Sequence, residues 1–199
     1  MDTPLRRATE LTNLLSKKLY NLSITDNLRN RLAGACFAIT QEHQHAIVIL
    51  LNQDRPFHSS AFALIRPVFE SYIRGLWLSH CATDSQLEAF SQDKKLPDTA
   101  SLVTAVEKAG DFDGKQLSTI YAKHWSSFCS YTHTGSLQVQ RWNTAKAIEP
   151  GYTDEEVREV IEFSGAIAML SAVSTAALAN NDSLARELLA DAKVYANPN

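Results

Sequence analysis

The stretch SSAFALIRPVFESYIRGLWLSH, from Ser59 to His80, restricts the fold more than any other part of this chain. At helical spacing, Phe62, Ile65, Phe69, Ile73 and Leu76 share one face, and Val68, Tyr72 and Leu78 cover much of the remainder. A helix that is apolar on most sides belongs at the centre of a packed structure. A further stripe, Ala63, Arg66, Glu70, Arg74 and Trp77, nevertheless carries charge at i, i+4 and i+8, so Glu70 can lie between two guanidinium groups. Two arginines and one glutamate leave a single positive charge, and a buried ion without a partner is strongly destabilising. Glu42, Asp54, a backbone carbonyl or a bound anion is therefore expected to close the stripe. Pro67 adds a second constraint. It has no N–H for the carbonyl of Ala63 and disfavours helical dihedrals at Arg66, which predicts either a kink or a new helix beginning at Pro67.

The rest of the chain also reads at helical period. The first helix is expected over 3–20, with Leu5, Leu11, Leu14, Leu15 and Leu19 inward. A long second helix starts near Thr25 and Asp26, and its inward stripe is read as Leu28, Leu32, Cys36, Ile39, His43, Ala46 and Leu50. NQDRPF ends it, and the third helix covers 59–82. Thr83 with Gln86 predicts a capping box for a helix to about Lys94. KKLPD is a loop, and Asp98 or Thr99 caps a helix ending at Gly110. DFDG turns the chain, and a helix over 115–132 stops at Gly135 as a C-cap. SLQVQRW alternates and is expected to be extended. Pro150-Gly151 is a turn, and Thr153 with Glu156 caps a helix that Asn180-Asn181-Asp182 breaks. A short amphipathic helix closes the chain. The expected fold is all-α, one helical-bundle domain over 1–199 with about seven to eight helices, three of them long and central.

Composition narrows the function classes. With 199 residues, 45% hydrophobic and 21% charged, the chain suits one soluble domain. A formal charge of −3 gives no general attraction to nucleic acid, so a polyanion would need a local basic cluster. Cys36, Cys81 and Cys129 are widely spaced, as isolated thiols in a reducing cytosol are. The N-terminus is not that of a signal peptide. Residues 163–180 are uncharged but rich in Ser, Thr, Gly and Ala, which reads as a closely packing soluble helix rather than a membrane span. A cytoplasmic protein is expected.

Among the six histidines no pair has the i, i+4 spacing of a helical zinc site, so no metal or cofactor is expected. His43 on its apolar stripe reads as a core residue. In IYAKHWSSFCSYTHTG, Tyr121, Trp125, Phe128 and Thr132 form one stripe, and Ser126, Ser130 and His133 form a polar line. His133 lies in the last turn, where the helix dipole favours its protonated form. Two readings stay open for Arg66, Glu70, Arg74, Ser130 and His133: a structural network, or a site for a small anion, with Arg141 and Trp142 as its rim. The chain has no P-loop, nucleophile elbow or glycine-rich dinucleotide turn.

LIRPVFESYIRGLWL, followed later by WSSFCSYTHTGSL, resembles a group of uncharacterised bacterial helical proteins that share Arg-Pro-x-x-Glu and a later Ser-x-x-His. RGLWLSH is also similar to the Arg-x4–6-His signature of HEPN-domain ribonucleases, all-α bundles of toxin–antitoxin and phage-defence systems. That resemblance implies Arg74 stabilising charge on an RNA phosphate, His80 or His133 as general acid or base, and a site completed in a homodimer without metal. The function readings are thus a binding or regulatory bundle, related in outline to toxin–antitoxin or defence modules, a metal-independent ribonuclease, and a non-catalytic oligomeric scaffold packing through residues 164–179. The corresponding partners are a second copy and an RNA or phosphate-containing ligand, with no membrane.

Overall fold

Several apolar runs begin at a side chain able to cap a helix, and the computed structural model follows those signals. It describes residues 3–94, 97–110 and 115–196. The expected DFDG turn and the Lys95-Leu96 part of the KKLPD loop lie outside the described residues. The helices are α1 (Thr3–Leu19), α2 (Leu28–Leu51), α3 (His58–Ala63), α4 (Ile65–His80), α5 (Asp84–Ser91), α6 (Thr99–Lys108), α7 (Gln116–Thr132), α8 (Ser136–Gln140), α9 (Asp154–Leu178) and α10 (Asp182–Ala196). The described residues contain no strand. Asn27 caps α2 through the N–H of Asn30, one residue beyond the expected cap pair. Capping boxes start α5 at Thr83 and α9 at Thr153, and Asp98 caps α6.

Two expected elements differ. The helix read over 59–82 divides at Leu64, whose N–H bonds to the carbonyl of Ala61 in a tighter turn at 3.2 Å. Arg66 is helical, and Pro67 is the third residue of α4 rather than its first. SLQVQRW is not extended: it holds α8, because the Ser130 hydroxyl accepts the N–H of Leu137 at 3.0 Å and sets the first turn. Nor is Gly135 the C-cap of α7. His133 is the C-cap, and Thr134 takes the left-handed conformation at φ 55°. Gly135 is required instead by close approach, since a Cβ there would stand 2.5 Å from the Ser130 hydroxyl.

α2 and α4 run antiparallel as the central pair, and α9 lies antiparallel to α2 and packs against both helices. Phe37 and Gly75 mark the closest approach of α2 and α4, where a Cβ on Gly75 would meet the Phe37 ring at 2.4 Å. One step along, the Thr40 and Ser71 hydroxyls are 2.8 Å apart. Gln44 accepts from the Thr12 hydroxyl of α1 at 3.1 Å, and Ser171 of α9 donates to the Phe37 carbonyl at 3.1 Å. These bonds explain the main departure from the expected core. The buried face of α2 includes Ala33, Cys36, Phe37, Thr40, Gln44, Ile47 and Val48, while Leu28 and Ile39, read as inward, are exposed. Hydroxyl and amide groups with partners across the seam can be buried, and they turn the helix away from the face that apolarity alone selects.

α9 is long and apolar enough to cross a membrane, but most of that window is buried in the bundle. Its small residues Ser164, Gly165, Ala168, Ser171 and Ala172 are buried against neighbouring helices, so they serve packing within one chain. α1 and α10 close the far side, with Lys18 of α1 bonded to Glu187 and Asp191 at 2.7 Å each.

The α2–α4 seam yields a direct test. Gly75→Ala forces a methyl into the space held by the Phe37 ring and is expected to destabilise by about 1–3 kcal/mol in urea unfolding. Phe37→Leu in the same background is expected to recover part of that loss.

Candidate functional site

Arg66 projects from the first turn of α4 into a junction of three helices. Its Nη2 donates to Glu70 at 3.1 Å, its Nη1 meets Nε2 of His133 at the end of α7, and its guanidinium lies 4.7 Å from the Trp125 ring centre. Glu70 also accepts the Thr99 hydroxyl from α6 at 3.0 Å. A guanidinium can only donate, so in this contact the His133 ring nitrogen takes the acceptor's place. The Arg66 and Glu70 side chains are 21% and 22% exposed, and the Arg66 Nε is buried without a partner. The gap made by Pro67 is filled as well: the Thr132 hydroxyl donates to the Ala63 carbonyl at 3.0 Å. Glu42 and Asp54, expected as closing anions, are exposed. The junction is closed by Glu70, Thr99, His133, Trp125 and Thr132.

The other expected site residues do not converge on it. Arg74 continues the stripe, but its Nε is buried without a hydrogen-bond partner, and no ion pair to it exists among the described residues. Its charge acts on Cys36, although burial dominates there and pushes that thiol up to about 11. Arg74 and His80 sit six positions apart on an unbroken α4, roughly 120° around the helix from each other. His80 is exposed beside the helix end, which Arg29 caps by donating to the carbonyls of Leu78 and Ala82 at 2.9 and 2.8 Å. Ser130 is committed to the start of α8. Arg141 bonds Glu156 of α9, and Trp142 donates to Ser59 of α3, so neither forms a rim for Arg66. Among the described residues no group of three His, Cys, Asp or Glu side chains is gathered as a metal site requires.

A second feature has more room. Between α7 and the first half of α9 runs a groove of about 400 Å³, lined on one wall by His124, Ser127 and Tyr131. Phe62, Phe128, Phe163, Ile65 and Val160 form its floor, and Glu156, Glu159 and Glu162 its other wall. The rings pack on one another: Phe128 and Phe163 are 5.3 Å apart, Phe62 and Tyr131 5.1 Å, and His124 stacks on Phe128 at 5.9 Å. Glu156 is held by Arg141 and by the Thr153 N–H. Glu159 and Glu162 are exposed and form no ion pair among the described residues. Burial, then the charge of Lys123, lowers the pKa of His124 against the raising effect of Glu159, which favours the neutral ring. The periodic signal was present in the sequence. His124, Ser127 and Tyr131 recur at i, i+3 and i+7, and Glu159 and Glu162 at i, i+3, but only the packing sets them face to face.

The family described as "Family of unknown function (DUF6988)" is matched over residues 37–198. The chain belongs to DUF6988. No curated protein and no solved structure matches it. The matched span of this DUF6988 chain includes the Arg66 junction and the whole groove.

Two outcomes are expected from this chemistry. Thr132→Val leaves the Ala63 carbonyl unpaired, and Glu70→Gln removes the charge that Arg66 faces; each should lower unfolding stability by about 1–3 kcal/mol. The pair should be additive in a double-mutant cycle if the two sites act separately. Burial lowers the pKa of His43, His58 and His124, so the unfolded chain takes up protons before the folded one. Stability is therefore fully present above about pH 6.5 and declines as pH falls through their folded values. His124→Gln should flatten part of that decline in thermal unfolding recorded between neutral and mildly acidic pH.

Proposed function

We propose that this chain is a binding module that takes a small organic cation in the groove between α7 and α9. The observation that carries this is the pairing of an aromatic floor with two unpaired carboxylates in a cavity of about 400 Å³. Ring faces attract cations through their quadrupole, and a carboxylate rim adds the counter-charge. The volume falls within the range of small-molecule sites, and an apolar floor with few polar groups is their usual lining. A neutral His124 adds no positive charge to the groove, and Arg158, whose charge reaches Glu159 and Glu162, is itself paired with Glu155. The Arg66 junction supports the groove from behind: it holds α7 on α4 and α6, with its own charge answered by Glu70.

The anion reading of Arg66 has less support, since the guanidinium already has Glu70, His133 and Trp125 as partners. Within one chain the ribonuclease reading would need Arg74 and His80 to act together across roughly 120° of an unbroken helix, so it rests on a second copy completing the site with His80 or His133.

Calorimetric titration with benzyltrimethylammonium, and with phenylacetate as its anionic counterpart, tests the proposal. The cation should bind and the anion should not, and Glu159→Gln with Glu162→Gln should weaken the cation by roughly tenfold. Equal affinity for both probes, or none for either, would overturn it. The ribonuclease alternative predicts cleavage of tRNA in EDTA that His80→Ala or His133→Ala abolishes, whereas the binding reading expects intact tRNA.

A further inference from the structure

The buried polar bonds that turn α2 toward α4 and α9 leave its opposite side bare. Leu28, Ile39 and Ile49 are 43%, 45% and 50% exposed, and Ala35 and Ala38 lie uncovered between them. At helical spacing, Leu28, Ala35, Ala38 and Ile49 fall with Arg31 and Glu42 on a single face. A central helix with such a face is one that something else covers. The small-residue face of α9, the expected contact between copies, is already buried inside the bundle.

We propose that the bare face of α2 pairs with the same face of a second copy, antiparallel, about a two-fold axis between Ala35 and Ala38. The charges select this occupant and this direction. With Ala35 against Ala38 of the partner subunit, Arg31 and Glu42 are equally far from the axis on opposite sides. Arg31 therefore faces Glu42 of the partner subunit, and the two-fold repeats the pair. Leu28 is set against His45 of the partner subunit in the same register. A parallel pairing would instead set Arg31 against Arg31 and Glu42 against Glu42, which repel. The alanines at the axis allow close approach of the two helices, whose separation depends on the side chains at the contact. Arg31 is free to make the exchange. Its pairing with Asp26 is long, at 3.7 Å, with the side chains 74% and 82% exposed. Glu42 has no ion pair among the described residues. A seam along one helix of about 36 Å is small for an interface, so the association is weak and depends on concentration.

Sedimentation velocity of the full chain across a concentration series tests this. The wild type should move from monomer toward dimer as concentration rises. Arg31→Glu alone and Glu42→Arg alone should each weaken the dimer by roughly tenfold, as like charges then face each other. Mixing the two single variants restores both pairs in a heterodimer, and combining the changes in one chain restores them in a homodimer. Circular dichroism checks that each variant keeps its helix content; both changes lie on the exposed face. A wild type that stays monomeric at every concentration overturns the proposal, as does a dimer that neither charge change weakens.

Discussion

A phenyl ring occupies the space where any side chain at residue 75 would stand, and the rest of the bundle is arranged around that contact. It brings α2 and α4 close enough for Thr40 and Ser71 to meet and for Cys36 to be buried. Dispersion contacts along such a seam are individually small, and their sum depends on the helices staying close. Polar groups buried beside it have partners on facing helices: Thr12 with Gln44, Ser171 with the Phe37 carbonyl and Gln41 with the Ala168 carbonyl. These directional bonds fix the rotation of α2 about its own axis more tightly than apolar contact could. The same rotation decides which face of α2 is left to solvent.

The charged stripe of α4 is used to attach other helices. Arginine suits this place because one flat group can donate in two directions and stack on a ring as well. Arg66 thereby ties α4 to α7 through His133 and Trp125, and Glu70 carries the link on to α6 through Thr99. Pro67, which leaves a carbonyl free, is matched by a threonine on α7, so the irregularity becomes another attachment point. With α7 held on this side and α9 docked along α2, the space between α7 and α9 is floored by apolar side chains, three of them rings. That arrangement produces the groove.

Much of this was legible from residue pattern. Caps at Thr83, Asp98 and Thr153 were readable because a capping side chain acts on backbone within its own few residues. The central position of the third helix and the pairing of Arg66 with Glu70 follow from helical spacing alone. Apolar spacing alone places Leu28 and Ile39 inward on α2, but they are exposed, because Thr40 and Gln44 are buried by partners about thirty residues away in sequence. SLQVQ alternated like a strand, yet it is a helix because a serine on the preceding helix caps it.

The sequence by itself determined that the chain is an all-α bundle, which apolar stretch lies at its centre, and that Glu70 stands within reach of Arg66. Those are consequences of periodicity, which is local. Only the tertiary structure decided that Glu70 is enough for Arg66, and that Thr132 fills the gap at Pro67. It also decided that Arg74 and His80 share an unbroken helix without facing one another, and that His124 and Glu159 look across one groove. Each of these depends on how one helix is turned against another, and that is settled by packing and hydrogen bonds between residues far apart in the chain.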